Sequence, residues 1–394
     1  MAPVATDKLP LGKLLAFTLV GFLAIVTDTM PAGLLPQISA GLGVSEAIAG
    51  QLVTLFALGA GLGAIPLIAV TRGWRRRPLF LLAIAGLLVF NAVTAVTDSY
   101  ALTLAARFVA GMATGLVWGL LVGYARRMVA PHLQGRALAI AVVGQPVALS
   151  VGVPLGSWLG HLIAWQGVFW LMAAVALVLF VWVRLGVPDY PGQAARERLP
   201  LTRVLLMPGI RPVLVALLAW ILAHNILYTY IAPFLASAGL ASWLEVMLAL
   251  FGVAAFAGLW LTGLLVDRML RALTLLSLAG FTLAALMLGT ASGSVVLMMF
   301  GVTTWGLTFG GAPTLLQTAL ADTAGDHADA AQSMLVTVFN TSVAGGGIIG
   351  GLLLEHAGAA SLPWALGALA LSGLLVTWSA REHGFRPGQR VVTG

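Results

Sequence analysis

Two ionisable side chains, Asp28 and Arg107, lie well inside long apolar stretches of this 394-residue sequence. A charge at the centre of a bilayer costs at least about 2.5–3.5 kcal/mol, so such residues normally face a cavity or an opposite charge. At about 1.5 Å per helical residue, Asp28 lies about 22 Å from the start of its stretch, and Arg107 lies about 25 Å from the end of its own. If that start and that end lie on the same side of the membrane, the two residues lie at similar depth and are expected to meet.

An aspartate at such a position can bind and release a coupling proton. A dry cavity favours the neutral carboxyl, whereas a nearby arginine favours the carboxylate. A site that opens first to one side and then to the other would therefore load a proton on one face and unload it on the other. Pro31 lacks an N–H, which frees the carbonyl of Thr27 and lets the helix bend beside Asp28. The alternatives are a permanent ion pair that ties two helices together, or an unrelated role.

Further polar and aromatic side chains in the apolar stretches could contact a solute. His224 and Tyr228 are four residues apart and share a helix face, and His224 lies near mid-membrane, where it could hydrogen-bond a solute or take part in proton transfer. The remaining candidates for solute binding are Asn225, Trp305, Thr308, Asn340 and Gln145. A histidine satisfied within the core and a tryptophan that only packs between helices are the alternative interpretations.

Composition indicates the kind of element that must carry these residues. Only 8% of the residues are charged and 60% are hydrophobic, whereas soluble domains are about 25% charged. A helix needs about 20 mostly apolar residues to cross a bilayer, and twelve stretches meet that need. They are 12–35, 47–70, 78–97, 100–123, 136–160, 165–186, 211–233, 243–266, 272–291, 294–320, 329–353 and 361–380. We therefore expect an all-α membrane protein with twelve transmembrane helices.

The basic residues predict how these helices are oriented. With the N-terminus inside, nineteen of the twenty Lys and Arg residues fall in cytoplasmic segments, and the exception is Arg107. This distribution follows the positive-inside rule and places both termini in the cytoplasm. The net charge of +7 is spread over many loop ends, which argues against a nucleic-acid-binding face.

Weak internal repeats predict two related halves. Residues 1–186 would form the first six-helix half, 187–209 a proline-rich cytoplasmic linker, and 210–394 the second half with a short cytoplasmic tail. The segment Trp118-Gly119-Leu120 matches Trp305-Gly306-Leu307 in the corresponding helix. Gly152 and Gly156 match Gly347 and Gly351 at a constant offset of 195 residues. Repeats of this kind are typical of secondary transporters.

Four phrases of the sequence resemble major facilitator superfamily transporters, above all the twelve-helix branch of proton-coupled drug and sugar efflux. They are Thr27–Gly33, Arg107–Gly111, Gly152-Val153-Pro154-Leu155-Gly156 and Trp305–Gly310. The third phrase is similar to the antiporter motif of that superfamily. The resemblance implies two pseudo-symmetric six-helix halves, with helices one, four, seven and ten lining a central cavity. In the loop after helix two, Thr71 replaces the acidic residue of the family, whereas Asp267 and Arg268 remain in the second copy.

Small residues at four-residue spacing suggest how the expected fourth and fifth helices pack. Such a spacing leaves a smooth strip on one helix face, which lets another backbone approach closely. The contact could be static, or it could allow the helices to slide against each other. The residues that we assign to this packing are Gly111, Gly115, Gly152, Pro154 and Gly156.

Charged loop residues suggest a gate on the cytoplasmic side. Three acidic residues in one loop could attract a cluster of three arginines in the other half when that side closes. The acidic residues are Asp322, Asp326 and Asp329, and the basic ones are Arg72, Arg75 and Arg76. Asp267 with Arg136 is a second candidate contact, and Arg268 is also assigned to the gate. The alternative is a solvated loop whose charges are screened by salt.

Together these features predict a secondary active transporter, a proton-coupled antiporter that exports a small organic solute by alternating access. A sugar, a nucleoside or a drug-like molecule would each suit the cavity, and drug resistance is one possible outcome. A proton symporter for uptake, or a receptor or assembly protein on the same scaffold, is the alternative. The absence of HExxH, Gly-x-Ser-x-Gly and cysteine argues against an enzyme. We expect no cofactor or metal besides the proton, a monomer, and the inner membrane of a bacterium as location.

Overall fold

The computed structural model describes residues 9–63, 66–67, 70–71, 73–130, 133–192, 204–291, 293–325 and 328–386, except for the side chains of residues 63, 122, 134, 135, 139, 328–330 and 333. Contacts divide the chain into two compact units, Met1–Arg196 and Glu197–Gly394. The division falls within the segment that the sequence suggests as a linker.

The first unit is built from eight helical segments and two π-helical turns within its described residues. They are α1 (Leu11–Gly33), α2 (Leu35–Leu42), α3 (Glu46–Leu58) followed by the π-helical turn Gly59–Gly63, α4 (Arg76–Val96), α5 (Tyr100–Arg127), α6 (Gln134–Val142), α7 (Gly144–Val147) followed by the π-helical turn Ala148–Gly152, and α8 (Val153–Gly186).

The second unit has seven helical segments and two short 3₁₀ turns in the part of the chain that is described. They are α9 (Ile210–Tyr228), α10 (Ile231–Ser237) followed by the 3₁₀ turn Ala241–Trp243, α11 (Leu244–Thr290), α12 (Val295–Gly310), α13 (Ala312–Ala324), α14 (Ala328–Ala357) followed by the 3₁₀ turn Ala359–Ser361, and α15 (Leu362–Ser379).

Within the described ranges, nine helices are long and apolar enough to cross a membrane, or ten if the bent pair Leu35–Leu42 and Glu46–Leu62 forms one span. Two of them, Arg136–Gly186 and Ala241–Thr290, are 51 and 50 residues long, about 75 Å each against a hydrocarbon core of about 30 Å. Each is interrupted by non-helical backbone, at Ala164 and at Met269. Both breaks lie between two of the expected spans. The all-α membrane fold is confirmed, and the count of twelve stays a prediction.

Large apolar side chains on the outside of both units fit a lipid environment. Leu185, Trp260 and Trp378 are all exposed. Apolar surface of this extent would be unfavourable against water but is compatible with acyl chains. Asn91, Arg107 and His224 are instead buried inside the units.

Two glycines, one on α8 and one in the π-helical turn before it, lie against α1, the helix that carries Asp28. A Cβ atom at Gly152 would overlap the side chain of Val26, and one at Gly156 would overlap that of Met30. Val26 and Met30 are four residues apart, so a ridge of α1 fits a groove of glycines. The π-helical turn directly before α8 precedes Pro154, which lacks the N–H that a regular helix would use there.

A second close contact occurs once in each unit, 195 residues apart. A Cβ on Gly111 of α5 would overlap the carbonyl oxygen of Phe56 in α3, and one on Gly306 of α12 would overlap the carbonyl oxygen of Phe251 in α11. The same offset of 195 residues relates Gly152 and Gly156 to Gly347 and Gly351 in the sequence repeat. The helix pairs α3–α5 and α11–α12 are therefore in backbone contact at corresponding places of the two units. Gly115, one turn further along α5, is half-buried, and its part in helix packing stays a prediction.

We expect Gly111→Ala to destabilise the protein by about 1–3 kcal/mol, because the obstructing atoms belong to the backbone and cannot rotate away. Gly123→Ala, on the same helix, is the matched control, since a Cβ there would have nothing within 4 Å and alanine favours helix. Thermal unfolding of the purified protein in detergent would measure both. Equal melting temperatures for the two variants would contradict the close approach.

Candidate functional site

The helices α1 and α5 bring Asp28 and Arg107 together in the first unit. Arg107 is fully buried, and its Nη2 donates a hydrogen bond to the backbone carbonyl of Asp28 at 3.2 Å. The two residues contact each other, as their calculated depths suggest. The bond, however, goes to the backbone, and the carboxylate and the guanidinium form no ion pair. The arrangement thus differs from a permanent ion pair between side chains.

Several polar atoms at this contact have no hydrogen-bond partner among the described residues. They are Oδ1 of Asp28 and both Nε and Nη1 of Arg107. Buried polar groups are normally hydrogen-bonded, and an unpaired one costs free energy. The carboxyl and the guanidinium therefore retain the capacity to bind a proton, a water molecule or a polar solute atom.

Aromatic rings compensate part of the cost of burying Arg107. Its Cζ lies 4.4 Å from the ring centroid of Phe56 and 5.9 Å from that of Phe169. A guanidinium over an aromatic face is attracted by the ring quadrupole. Hydropathy gives no indication of these partners, because Phe56 and Phe169 are indistinguishable from the other apolar residues of their helices.

Two further polar residues adjoin this site. Asn91 of α4 donates its Nδ2 hydrogen to Oγ1 of Thr27 at 3.1 Å, and both side chains are fully buried. Oδ1 of Asn91 has no partner within the described residues. Thr27 precedes Asp28 directly, so the polar site joins α1, α4 and α5. Asn91 is absent from the residues singled out in the sequence, although a lone amide in an apolar stretch is the signal that could have identified it.

A second cluster surrounds His224 in the other unit. The indole Nε1 of Trp305 donates a hydrogen bond to Nδ1 of His224 at 3.2 Å. The ring of Phe309 stacks on the imidazole with centroids 3.6 Å apart and planes 7° apart. Tyr228 and Phe251 lie with centroids 5.0 and 5.6 Å from it. Of the suggested solute-binding residues, His224, Tyr228 and Trp305 are thus brought together.

Three of the other candidates for solute binding form hydrogen bonds within their own helices, and the hydroxyl of Thr308 also donates to the carbonyl of Trp305 at 3.2 Å. Asn225, Thr308 and Asn340 each donate a hydrogen bond to a backbone carbonyl four residues earlier in their own helix, at 2.8, 2.7 and 2.9 Å. Asn225 also faces α14, where a Cβ at Gly346 would overlap it. Gln145 is half-buried in α7. Their role in solute binding stays a prediction. Among the described residues, no group of three or more His, Asp or Glu side chains could hold a metal.

The arginines after α3 have an acidic partner within their own unit. Nε of Arg75 donates to Oδ2 of Asp189, and the backbone N–H of Arg77 donates to Oδ1 at 3.0 Å. Partial burial by itself raises the pKa of the Asp189 carboxyl, but the hydrogen bonds from Arg77 and Arg75 and their positive charges outweigh it and hold the pKa below its usual value. Asp189 therefore supplies a carboxylate partner to Arg75 and Arg77.

The residues around Asp189 are fixed to the same unit. The hydroxyl of Tyr124 donates to the carbonyl of Pro188 at 2.6 Å, Nη1 of Arg127 donates to that of Pro191 at 2.8 Å, and the N–H of Arg76 donates to that of Tyr190 at 2.9 Å. The segment 187–191, which the sequence assigns to the linker, is thus bound along its length. The sequence did not reveal this contact, because most of its bonds use backbone atoms.

The remaining gating candidates are exposed or lie outside the description. Arg136, Asp267, Arg268 and Asp322 are exposed. Arg72 and Asp326 lie outside the described residues, as does the side chain of Asp329. Contacts between the two charge clusters stay a prediction.

In the second unit Arg271 donates to the carbonyls of Thr377, Trp378 and Phe385 at 2.8–2.9 Å and so caps the end of α15.

We expect Asp189→Asn to lower the stability of the protein at pH 7 by about 1 kcal/mol, because Arg75 is largely exposed and such pairs contribute little. Since the folded pKa is depressed, this stabilisation is present above the unfolded pKa of about 3.9 and is lost as the pH falls through the folded value. Chemical unfolding at several pH values would show a constant difference between the wild type and the variant at neutral pH, which shrinks as the pH falls below about 4. If Asp189→Asn destabilised the Arg75→Gln protein as much as it destabilises the wild type, this would contradict the pairing.

The chain is similar to known membrane transporters over most of its length. The family model of the Major Facilitator Superfamily matches residues 17–340. A purine ribonucleoside efflux pump, NepI, of Escherichia coli is 31% identical over 362 residues, which cover 90% of this chain and 90% of the pump. The pump of the same name from Shigella sonnei is 30% identical over 361 residues, again covering 90% of each chain.

Two solved structures share the fold. One is a bacterial homologue of the human lysosomal transporter Spinster in an inward-facing, unoccupied conformation, with a TM-score of 0.67 and 14% identity over 96% of this chain and 97% of that one. The other is the human organic anion transporter TETRAN, with a TM-score of 0.67 and 18% identity over 94% of this chain and 100% of that one. At these identities the likeness concerns the fold alone.

Proposed function

Because the chain belongs to the major facilitator superfamily and is a multi-pass membrane transporter rather than an enzyme, we propose that it exports a small organic solute in exchange for protons. The observation that carries this proposal is the unpaired Oδ1 of Asp28 beside the fully buried Arg107. A carboxyl with a free oxygen can take a proton, whereas one held in a bidentate ion pair cannot do so without breaking it.

The exchange works through the charge on one carboxyl group. When Asp28 is protonated, Arg107 is left as the uncompensated charge; when it is ionised, the two charges balance each other. Alternating access would expose this site to each side of the membrane in turn. A gradient of two pH units supplies about 2.7 kcal/mol per proton, which corresponds to a roughly hundredfold solute gradient at one-to-one coupling.

A purine ribonucleoside, or a solute of similar flat heteroaromatic shape, is the cargo that we propose. A relative covering 90% of the chain carries the name of a purine ribonucleoside efflux pump. The second unit also holds aromatic side chains of the kind on which a nucleobase can stack. We further propose a monomer in the inner membrane of a bacterium, with both termini cytoplasmic.

We expect Asp28→Asn to abolish proton-driven accumulation of inosine while the protein stays folded, because an amide has almost the same shape as the carboxyl but does not titrate. Everted membrane vesicles with an imposed pH gradient would measure the accumulation, and thermal unfolding would report on the fold. Asp98→Asn changes an exposed aspartate in the same unit and should retain full transport. Gradient-driven transport at the wild-type rate in Asp28→Asn would exclude this residue as the proton carrier.

The direction of flux separates export from uptake. In everted vesicles with an acidic interior, an antiporter accumulates inosine as protons leave, whereas a symporter drives inosine out with them. We expect accumulation, which should collapse when a protonophore dissipates the gradient. Accumulation that requires an alkaline interior would identify a symporter instead.

A further inference from the structure

The hydrogen bond between Trp305 and His224 fixes the position of the proton on the imidazole. An indole N–H can only donate. The Nδ1 atom that receives it, 3.2 Å away, must therefore offer a lone pair and carries no proton. In neutral histidine the single ring proton then lies on Nε2.

Nδ1 of the imidazole has a hydrogen-bond partner, whereas Nε2 has none among the described residues. Phe309 stacks on the ring at 3.6 Å, and Tyr228 and Phe251 lie within 5.6 Å of it. No described charged residue forms a hydrogen bond or an ion pair with it. Nε2 has no hydrogen-bond partner among the described residues, although the residue is only 7% exposed.

The imidazole is largely buried, and a donor at the edge of such a ring is stabilised when an acceptor reaches it. Trp305 and His224 come from separate helices, α12 and α9, and the rings of Tyr228 and Phe251 contact both. The geometry therefore maintains an oriented donor where ordinary packing would favour an apolar side chain. This arrangement is typical of a site that recognises a ligand acceptor.

We propose that Nε2–H of His224 donates a hydrogen bond to an acceptor atom of the transported solute, and that Trp305 is the positioning residue that keeps the proton on that nitrogen. The inference rests on the proposed function and assigns part of its solute specificity. The acceptor belongs to a heteroaromatic solute, as a ring nitrogen or a carbonyl oxygen. His224 acts as a donor in this assignment and carries none of the coupling protons.

Binding of inosine to the full chain in detergent, measured by calorimetry, tests the contact. His224→Phe keeps a flat ring that can stack on Phe309 but removes the donor, and we expect it to raise Kd about tenfold or more, as for the loss of one hydrogen bond. His224→Gln keeps an N–H at a similar reach and should bind within about threefold of the wild type. Equal affinity of His224→Phe and the wild type overturns the inference.

Nitrogen NMR of protein labelled in histidine tests the role of Trp305 separately, even if His224→Phe does not fold. The chain has six histidines, and the signals of His224 are those missing from His224→Gln. We expect a protonated Nε2 and a bare Nδ1 in the wild type. In Trp305→Phe, which lacks the indole N–H, the form protonated on Nδ1 should appear and inosine should bind more weakly. A proton on Nδ1 in the wild type overturns the inference.

The two levels of the proposal fail in different ways. If the wild type binds inosine and His224→Phe binds it equally well, the proposed function survives and the contact does not. If the wild type binds neither inosine nor adenosine, the nucleoside cargo is wrong and the contact is overturned with it.

Discussion

The guanidinium of Arg107 is a permanent charge inside an apolar unit, and the packing around it follows from that constraint. Its hydrogen bond to the carbonyl of Asp28 and its position over the ring of Phe56 use atoms from α1 and α3. Both helices must approach α5 closely for these contacts to exist. Gly111 allows the approach of α3 because it carries no side chain at the point of contact. The glycine contacts and the buried charge are therefore parts of one arrangement.

Corresponding places in the two units have kept the packing and changed the chemistry. Phe56 and Phe251 are 195 residues apart, and a glycine of the neighbouring helix packs against the backbone carbonyl of each. Phe56 lies under a guanidinium in the first unit, whereas Phe251 lies beside a neutral imidazole and an indole in the second. A duplicated scaffold thus presents a charged site in one copy and an uncharged aromatic site in the other. This division suits the proposed exchange of a proton for an organic solute.

Hydropathy and helix geometry predicted the membrane helices and the common depth of Asp28 and Arg107, because both depend only on distance along the chain. They could not predict that the guanidinium of Arg107 binds a backbone carbonyl. That bond depends on the conformation of the Arg107 side chain, which packs against the rings of Phe56 and Phe169. Helical spacing likewise placed His224 and Tyr228 on one face. The indole that binds His224 lies 81 residues further on, and only the tertiary structure of the second unit determines that contact.

The bound segment 187–191 has a consequence for how the polypeptide can be divided. Its hydrogen bonds to Tyr124 and Arg127 make these five residues the closing part of the first unit, so the covalent tether between the units begins only after Pro191. A break in the chain ahead of Pro188 would remove the carboxylate of Asp189 and the carbonyl of Tyr190, to which Arg75, Arg76 and Arg77 donate. The same break placed after Gly192 would leave them in place, and the two fragments could be produced as separate polypeptides with each unit intact.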